Sequence, residues 1–209
     1  MAGAEASAGC LILSGMPGAG KSTVAPLVAA RHARAAHISG DVLSYMVVQG
    51  RVGFNGQPAE ESARQLRLCA RNMCTLANNF ADNGIFPVIE YAIDNPGMLD
   101  YMLAELRPRP VVFVVLAPPL EVCRQRNAAR AVEHQVHFDF SPYYRAMREQ
   151  LGEVGWWLDT AALSPEETAD LIAARAHDTA ALRTDLPASC AAPSGGALGP
   201  AAGGGRGGP

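Results

Sequence analysis

Gly15-Met16-Pro17-Gly18-Ala19-Gly20-Lys21-Ser22-Thr23 constrains this chain more than any other stretch, because it fits G-x-x-x-x-G-K-[ST] at every fixed position. A chance match at those four positions arises in about one chain of this length in a hundred. The flanks fit as well. Cys10 to Leu13 is an apolar run, and Val24, Leu27 and Val28 follow at helical spacing, so the motif reads as a turn between a buried strand and a helix. Such a loop turns its backbone N–H groups inward around a phosphate chain, and glycine reaches the required angles without a Cβ clash. Lys21 supplies a point charge for the outer phosphates, Ser22 a hydroxyl for Mg²⁺, and the helix start a dipole that favours anions. Gly15 to Thr23 is therefore expected to hold a nucleoside triphosphate, ATP, with Mg²⁺.

The 209 residues suffice for one α/β domain with a full core, and a hydrophobic content of 49% is ordinary for a globular protein. A net charge of −3 gives no basic field, so neither nucleic acid nor an acidic membrane is an expected partner. No apolar run approaches the roughly 20 residues that span a bilayer. Met1 to Gly9 lacks the basic start and long apolar core of a secretion signal, and a cytoplasmic protein is expected, as monomer or homodimer. The cysteines, Cys10, Cys69, Cys74, Cys123 and Cys190, have no C-x-x-C spacing and read as reduced residues rather than a zinc site or disulfide framework.

Residues 1–8 are small and polar, and from about Thr184 to Pro209 the chain is Ala/Gly/Pro-rich. Both ends are expected to be disordered, leaving a domain over 9–180. Within it strand and helix signals alternate. Ala35–Ser39, Ile85–Ile89, Val111–Leu116 and Trp156–Leu158 read as further strands. Val42, Leu43, Met46 and Val47 read as a short amphipathic helix, and Leu66, Cys69, Met73, Leu76 and Phe80 as the apolar stripe of a long one that ends at Asn83-Gly84. Pro118-Pro119 opens a helix to about Ala131, and Ser164-Pro165-Glu166-Glu167 is a capping box with Pro at the first helical position. The sum is an α/β fold, a five-stranded parallel sheet flanked by helices.

Ligands of such sheets sit at the carboxyl ends of the strands, which draws attention to Asp41, Glu90 and Asp159. Asp41 suits a base for an attacking hydroxyl, a Mg²⁺ partner through water, or a helix N-cap. Glu90, with Tyr91 beside it, suits metal or acceptor contact, or a solvated strand end. Asp159 reads as a turn cap. Arg126 and Arg130 stand four apart on one helix face and suit phosphoryl oxygens, whereas Arg124, and the stripe Arg64, Arg67 and Arg71, read as solvated surface. His134-x-x-His137 has no completing ligand and reads as part of a polar lid.

With strand, phosphate loop, post-strand Asp and Arg-x-x-x-Arg helix in this order, the chain resembles the small P-loop kinases of the nucleoside monophosphate kinase type, within them most the chloramphenicol phosphotransferase-like group. Gluconate and shikimate kinases share the plan. The resemblance covers roughly Gly9 to His177 and implies Lys21 and Ser22 as phosphate and Mg²⁺ contacts, Asp41 as catalytic base, and Arg126 and Arg130 as arginines of a short lid. It implies transfer of the γ-phosphate to a small-molecule acceptor, such as an antibiotic or specialised metabolite. The alternatives are a nucleotide or nucleic-acid end kinase and a non-catalytic ATP-dependent switch. No substrate signature is recognisable over Val42 to Arg71.

Overall fold

Val111 to Leu116, apolar at every position, forms strand β4 and is covered on both faces, as the continuous apolar strands of parallel sheets are. The computed structural model describes residues 9–107, 109–152 and 154–176; the expected disordered ends and Cys190 lie outside them. Next to β4 lies β1 (Cys10–Gly15), buried along its whole length. The remaining strands are β2 (Ala35–Ser39), β3 (Phe86–Glu90) and β5 (Trp156–Leu158). Their order is β2-β3-β1-β4-β5, and every pair is parallel, which is the sheet expected from the sequence.

Helices α1 (Lys21–Ala29), α2 (Gly40–Tyr45), α3 (Ala59–Asp82), α4 (Pro96–Glu105), α5 (Leu120–Ala128) and α6 (Ser141–Leu151) make the crossovers, and α7 (Pro165–Ala176) follows β5. Both α1 and α3 pack on β2 and β3, α1 with α7 and α3 with α4, so the two pairs cover opposite faces of the sheet. The capping box forms as written: Ser164 N–H donates to Glu167 Oε2 at 2.8 Å, and Glu167 N–H donates to Ser164 Oγ at 3.1 Å. Registry then positions the functional ends. Leu13 and Ser39 both pair with Glu90, so β2 and β3 end level with each other while β1 runs on to Gly15, into the phosphate loop.

Four local expectations need correction. The buried face of α3 is made of Cys69, Ala70, Met73, Cys74, Ala77 and Ala81, while Leu76 is 37% exposed. Small side chains let the helix lie close to the sheet and α4, and that proximity outweighs the pull of larger leucines. Of the apolar residues expected on a short helix here, Leu43 packs against the core, but Val42 and Met46 are 59% and 65% exposed, and the helix ends at Tyr45. Glu90 belongs to β3 itself instead of following it, and α5 ends at Ala128, with a 3-10 turn at Val132–His134 beyond. Cys10, Cys69, Cys74 and Cys123 are free, buried thiols, and burial raises the pKa of each, to about 11 for Cys69.

The phosphate loop is pinned to α5 through Gly18. That residue has φ +79°, and a Cβ on it would lie 2.0 Å from the Cys123 carbonyl oxygen, whereas Gly20, at φ +103°, would meet nothing within 4 Å. Gly18→Ala is thus expected to cost roughly 2 to 5 kcal/mol from backbone strain plus collision, and Gly20→Ala only the strain, roughly 1 to 2 kcal/mol. Urea unfolding of the two variants checks this order, and equal losses would refute the packing account.

Candidate active site

A helix cannot satisfy the N–H groups of its own first turn, and α1 begins with Lys21 and Ser22 in that turn, behind the left-handed Gly20. The Lys21 ammonium donates to the carbonyls of Gly15 at 2.8 Å and Met16 at 3.2 Å, which holds the side chain back along the loop. Withdrawal from water pushes the Lys21 pKa down, the nearby carboxylates Glu90 and Asp41 push it back up, and Arg130 lowers it again; the balance lies below the ordinary value of 10.5. Lys21 therefore feels the charges of Glu90, Asp41 and Arg130.

Glu90 is the acid at the centre. It is 4% exposed and accepts hydrogen bonds from Ser22 Oγ at 2.7 Å and from His37 Nε2 at 3.0 Å, one on each carboxylate oxygen. Burial alone would raise its pKa; the bonds from His37 and Ser22 and the charge of Lys21 outweigh it and hold the carboxyl below its ordinary 4.5. A hydroxyl and a carboxylate beside a phosphate loop are hard oxygen donors, the set that suits Mg²⁺ shared with phosphate oxygens and water. Among the described residues no cluster of three His, Cys, Asp or Glu forms an all-protein metal cage, and His134 and His137 are both exposed.

Two cavities flank the loop. The first, of about 370 Å³, is bordered by Lys21, Ser22, Asp41, Glu90, Tyr91 and Arg130 among others. The second, of about 290 Å³, lies on the other side, against Gly18, Gly20, Thr23, Thr160, Arg126 and Arg130. Arg130 borders both. The expected shared helix face is not formed, because α5 ends at Ala128 and Arg130 lies beyond it; both arginines border the second cavity, where Arg126 donates to Thr160 Oγ1 at 3.2 Å and to the Thr160 carbonyl at 2.8 Å, and Arg130 stands at the junction of the cavities.

Asp41 lies in the first turn of α2, whose N-cap is Ser39, so the N-cap alternative for Asp41 is excluded. Tyr91 packs against Gly40, where a Cβ would come within 2.4 Å of its ring, and burial raises its phenol pKa. Asp159 accepts from Ala161 N–H at 2.8 Å, a turn cap. Arg124 donates to Ser141 Oγ at 2.6 Å, Arg64 pairs with Glu61 and Arg71 with Glu105; none of the three borders either cavity.

Sequence reasoning missed His37, Thr160 and Asn127. Buried Asn127 donates to the Val136 carbonyl at 2.9 Å and accepts from Val136 N–H at 3.1 Å, tethering the segment after α5. It also missed Phe54, Phe138 and Tyr143 as a cluster, with centroid separations of 5.0 to 5.9 Å. No local pattern signals these: His37 and Thr160 meet partners 53 and 34 residues away, and Phe54 joins rings that lie beyond α5.

A phosphate loop between a central parallel strand and a helix, with a buried acid at the neighbouring strand end, defines the P-loop class of α/β proteins. Within that class the chain belongs to the AAA_33 family, whose profile, described as AAA domain, matches residues 11–148. No curated protein matches it in sequence. Among solved structures it is similar to the APS kinase CysC of Mycobacterium tuberculosis, in complex with AMPPNP and APS, at 20% identity over 84% of this chain and 98% of that one, TM-score 0.60. A tunicamycin resistance protein of Deinococcus radiodurans is similar at 16% identity over 84% and 97% of the two chains, TM-score 0.58. Shikimate kinase of Acinetobacter baumannii, in complex with shikimate, gives 13% over 85% and 97%, TM-score 0.54. These likenesses establish the shared fold.

A carboxylate whose folded pKa is depressed contributes stability that is present above its unfolded pKa and lost as pH falls through the folded one. The unfolding free energy of the parent is therefore expected to fall more steeply than that of Glu90→Gln between about pH 5 and pH 3. Urea melts across that window test it, and parallel curves would mean that Glu90 carries no such linkage.

Proposed function

We propose that this protein is an ATP-dependent phosphotransferase that moves the γ-phosphoryl group to a hydroxyl of a small molecule, such as an antibiotic or other specialised metabolite. The observation that carries the proposal is that Asp41 borders the same cavity as Lys21, Ser22 and Glu90. A base at one wall and a phosphate cradle at the other is what in-line transfer requires. The nucleotide's phosphates would lie on the loop with its base end toward the second cavity, and the acceptor would fill the first.

In this reading the acceptor oxygen bonds to the γ-phosphorus as the bond to the β,γ-bridging oxygen breaks. The hydroxyl proton passes to the Asp41 carboxylate, and the electron pair leaves with ADP. Lys21 and Arg130 neutralise charge on the transferring group, and Arg126, held by Thr160, lines the nucleotide side. Ser22 and Glu90 would hold Mg²⁺, which supplies charge neutralisation at the β- and γ-phosphates when bound. The segment after α5, tethered by Asn127, would serve as the lid that limits competing hydrolysis.

Kinase names among the similar folds support phosphotransfer, and the tunicamycin resistance protein supports an antibiotic-like acceptor. The finer likeness to chloramphenicol phosphotransferases belongs to the same proposal. A polynucleotide acceptor draws less support, since a backbone track needs repeated cations and the first cavity is bordered by Arg51 and Arg130 as its arginines.

Asp41→Asn is expected to leave ATP affinity near that of the parent and to lower transfer by roughly 10² to 10⁴. A retained full rate on a phosphorylated acceptor would refute Asp41 as base. Lys21→Ala removes charge-assisted contacts of roughly 1.5 to 3 kcal/mol and is expected to weaken ATP binding about tenfold to a hundredfold in calorimetry.

A further inference from the structure

We infer that the acceptor is a bulky, largely apolar alcohol without anionic groups, gripped by an aromatic clamp of Phe54, Phe138 and Tyr143. The inference rests on the phosphotransfer reading and names the substrate class for the same cavity. Phe54 comes from the loop between α2 and α3; Phe138 and Tyr143 come from the segment entering α6 and from α6 itself. Each ring meets the other two: Phe54 and Tyr143 edge to face at 5.0 Å, Phe138 and Tyr143 edge to face at 5.9 Å, Phe54 and Phe138 tilted at 5.8 Å. Tyr143 Oη also donates to Asn55 Oδ1 at 3.1 Å, which joins the two segments at their tips.

All three rings border the first cavity; Tyr143 is half-buried against the core, and Phe54 and Phe138 remain 42% and 40% exposed. Apolar surface of that size on a cavity wall gains free energy when an apolar ligand covers it. The rest of the wall agrees. Leu43, Val47, Leu66 and Met98 line the cavity, and the chain beside them leaves Tyr45 66% and Val48 87% exposed near its mouth.

Charge excludes an anionic acceptor. The cavity presents the carboxylates Asp41, near Lys21, and Asp94, together with the guanidinium of Arg51, which stacks 4.3 Å above the Tyr45 ring. The other cavity arginine, Arg130, lies at the phosphate end beside Lys21. Arg64 and Arg71, on the helix that walls this side, pair with Glu61 and Glu105 outside it. A carboxylate or sulfate on the acceptor would meet two like charges and one engaged cation, whereas a neutral or cationic aromatic or aliphatic body meets rings and methyl groups.

Two probes on the full chain decide it: the fluorescent alcohol 2-naphthaleneethanol, followed by its own anisotropy, and shikimate, followed by calorimetry, with ATP consumption measured for both. The naphthyl alcohol is expected to bind about tenfold more tightly than shikimate or better, and Phe54→Ala/Phe138→Ala to weaken it by about tenfold. The clamp is overturned if shikimate binds as tightly as the naphthyl alcohol, or if the double variant, folded by its melting curve, binds the naphthyl alcohol undiminished. Should the double variant fail to fold, the ratio of the two affinities on the parent decides alone. ATP consumption with shikimate and no naphthyl binding upholds phosphotransfer and overturns the clamp. Naphthyl binding with no ATP consumption for any alcohol does the reverse.

Discussion

A carboxylate kept almost out of water at the end of β3 holds the working edge of this protein together. Glu90 takes one hydrogen bond from the first turn of α1 and one from β2, so three elements meet on one side chain. An ionised group in that position is tolerable only because both oxygens are occupied and Lys21 is near. The geometry of Ser22 is thereby tied to the sheet and does not depend on the loop alone. Around this point the phosphate loop is braced a second time by α5 at Gly18, and β1, buried from end to end, supplies the rigid base.

From that edge the chain builds two unlike halves. On one side Arg126 and Thr160 wall a narrow space against the loop glycines. On the other, α2, the long turn after it and α3 enclose a larger space with aromatic and aliphatic side chains. Arg130 stands where the halves meet. Two-sided access to one phosphate cradle is the arrangement that phosphoryl transfer between a donor and an acceptor calls for.

How much of this was legible depended on how local its cause was. The phosphate loop, the apolar run of β4 and the Ser164/Glu167 box are set by adjacent residues, and the sequence carries them openly. So does the parallel sheet, since strand and helix signals alternate along the chain. The face of α3 was legible in part: Cys69 and Met73 of the expected stripe are buried, whereas Ala70, Cys74 and Ala77 win burial through close approach that only the assembled sheet defines. Glu90 carried a readable position but not its partners: the pairing of β2 with β3 brings His37 to it. Arg126 and Arg130 share a helical spacing, yet α5 ends at Ala128 before the second of them, and Thr160, supplied from beyond β5, holds the first. The ring cluster is the extreme case, joining positions 54 and 143 across most of the domain.

The long turn after α2 hangs on α3 by two side chains, Gln65, which also borders the first cavity, and Ser62. Gln65 accepts from Val52 N–H at 2.8 Å and donates to the Gly50 carbonyl at 2.8 Å, and buried Ser62 donates to the Gly53 carbonyl at 2.7 Å. None of these bonds touches the phosphate loop. The outer wall of the first cavity and the phosphate loop are therefore separately suspended, like an interchangeable fitting on a fixed frame. Descendants of such a chain can lengthen, shorten or reseat that turn and acquire new chemical tastes while the inherited machinery of the other half stays in register.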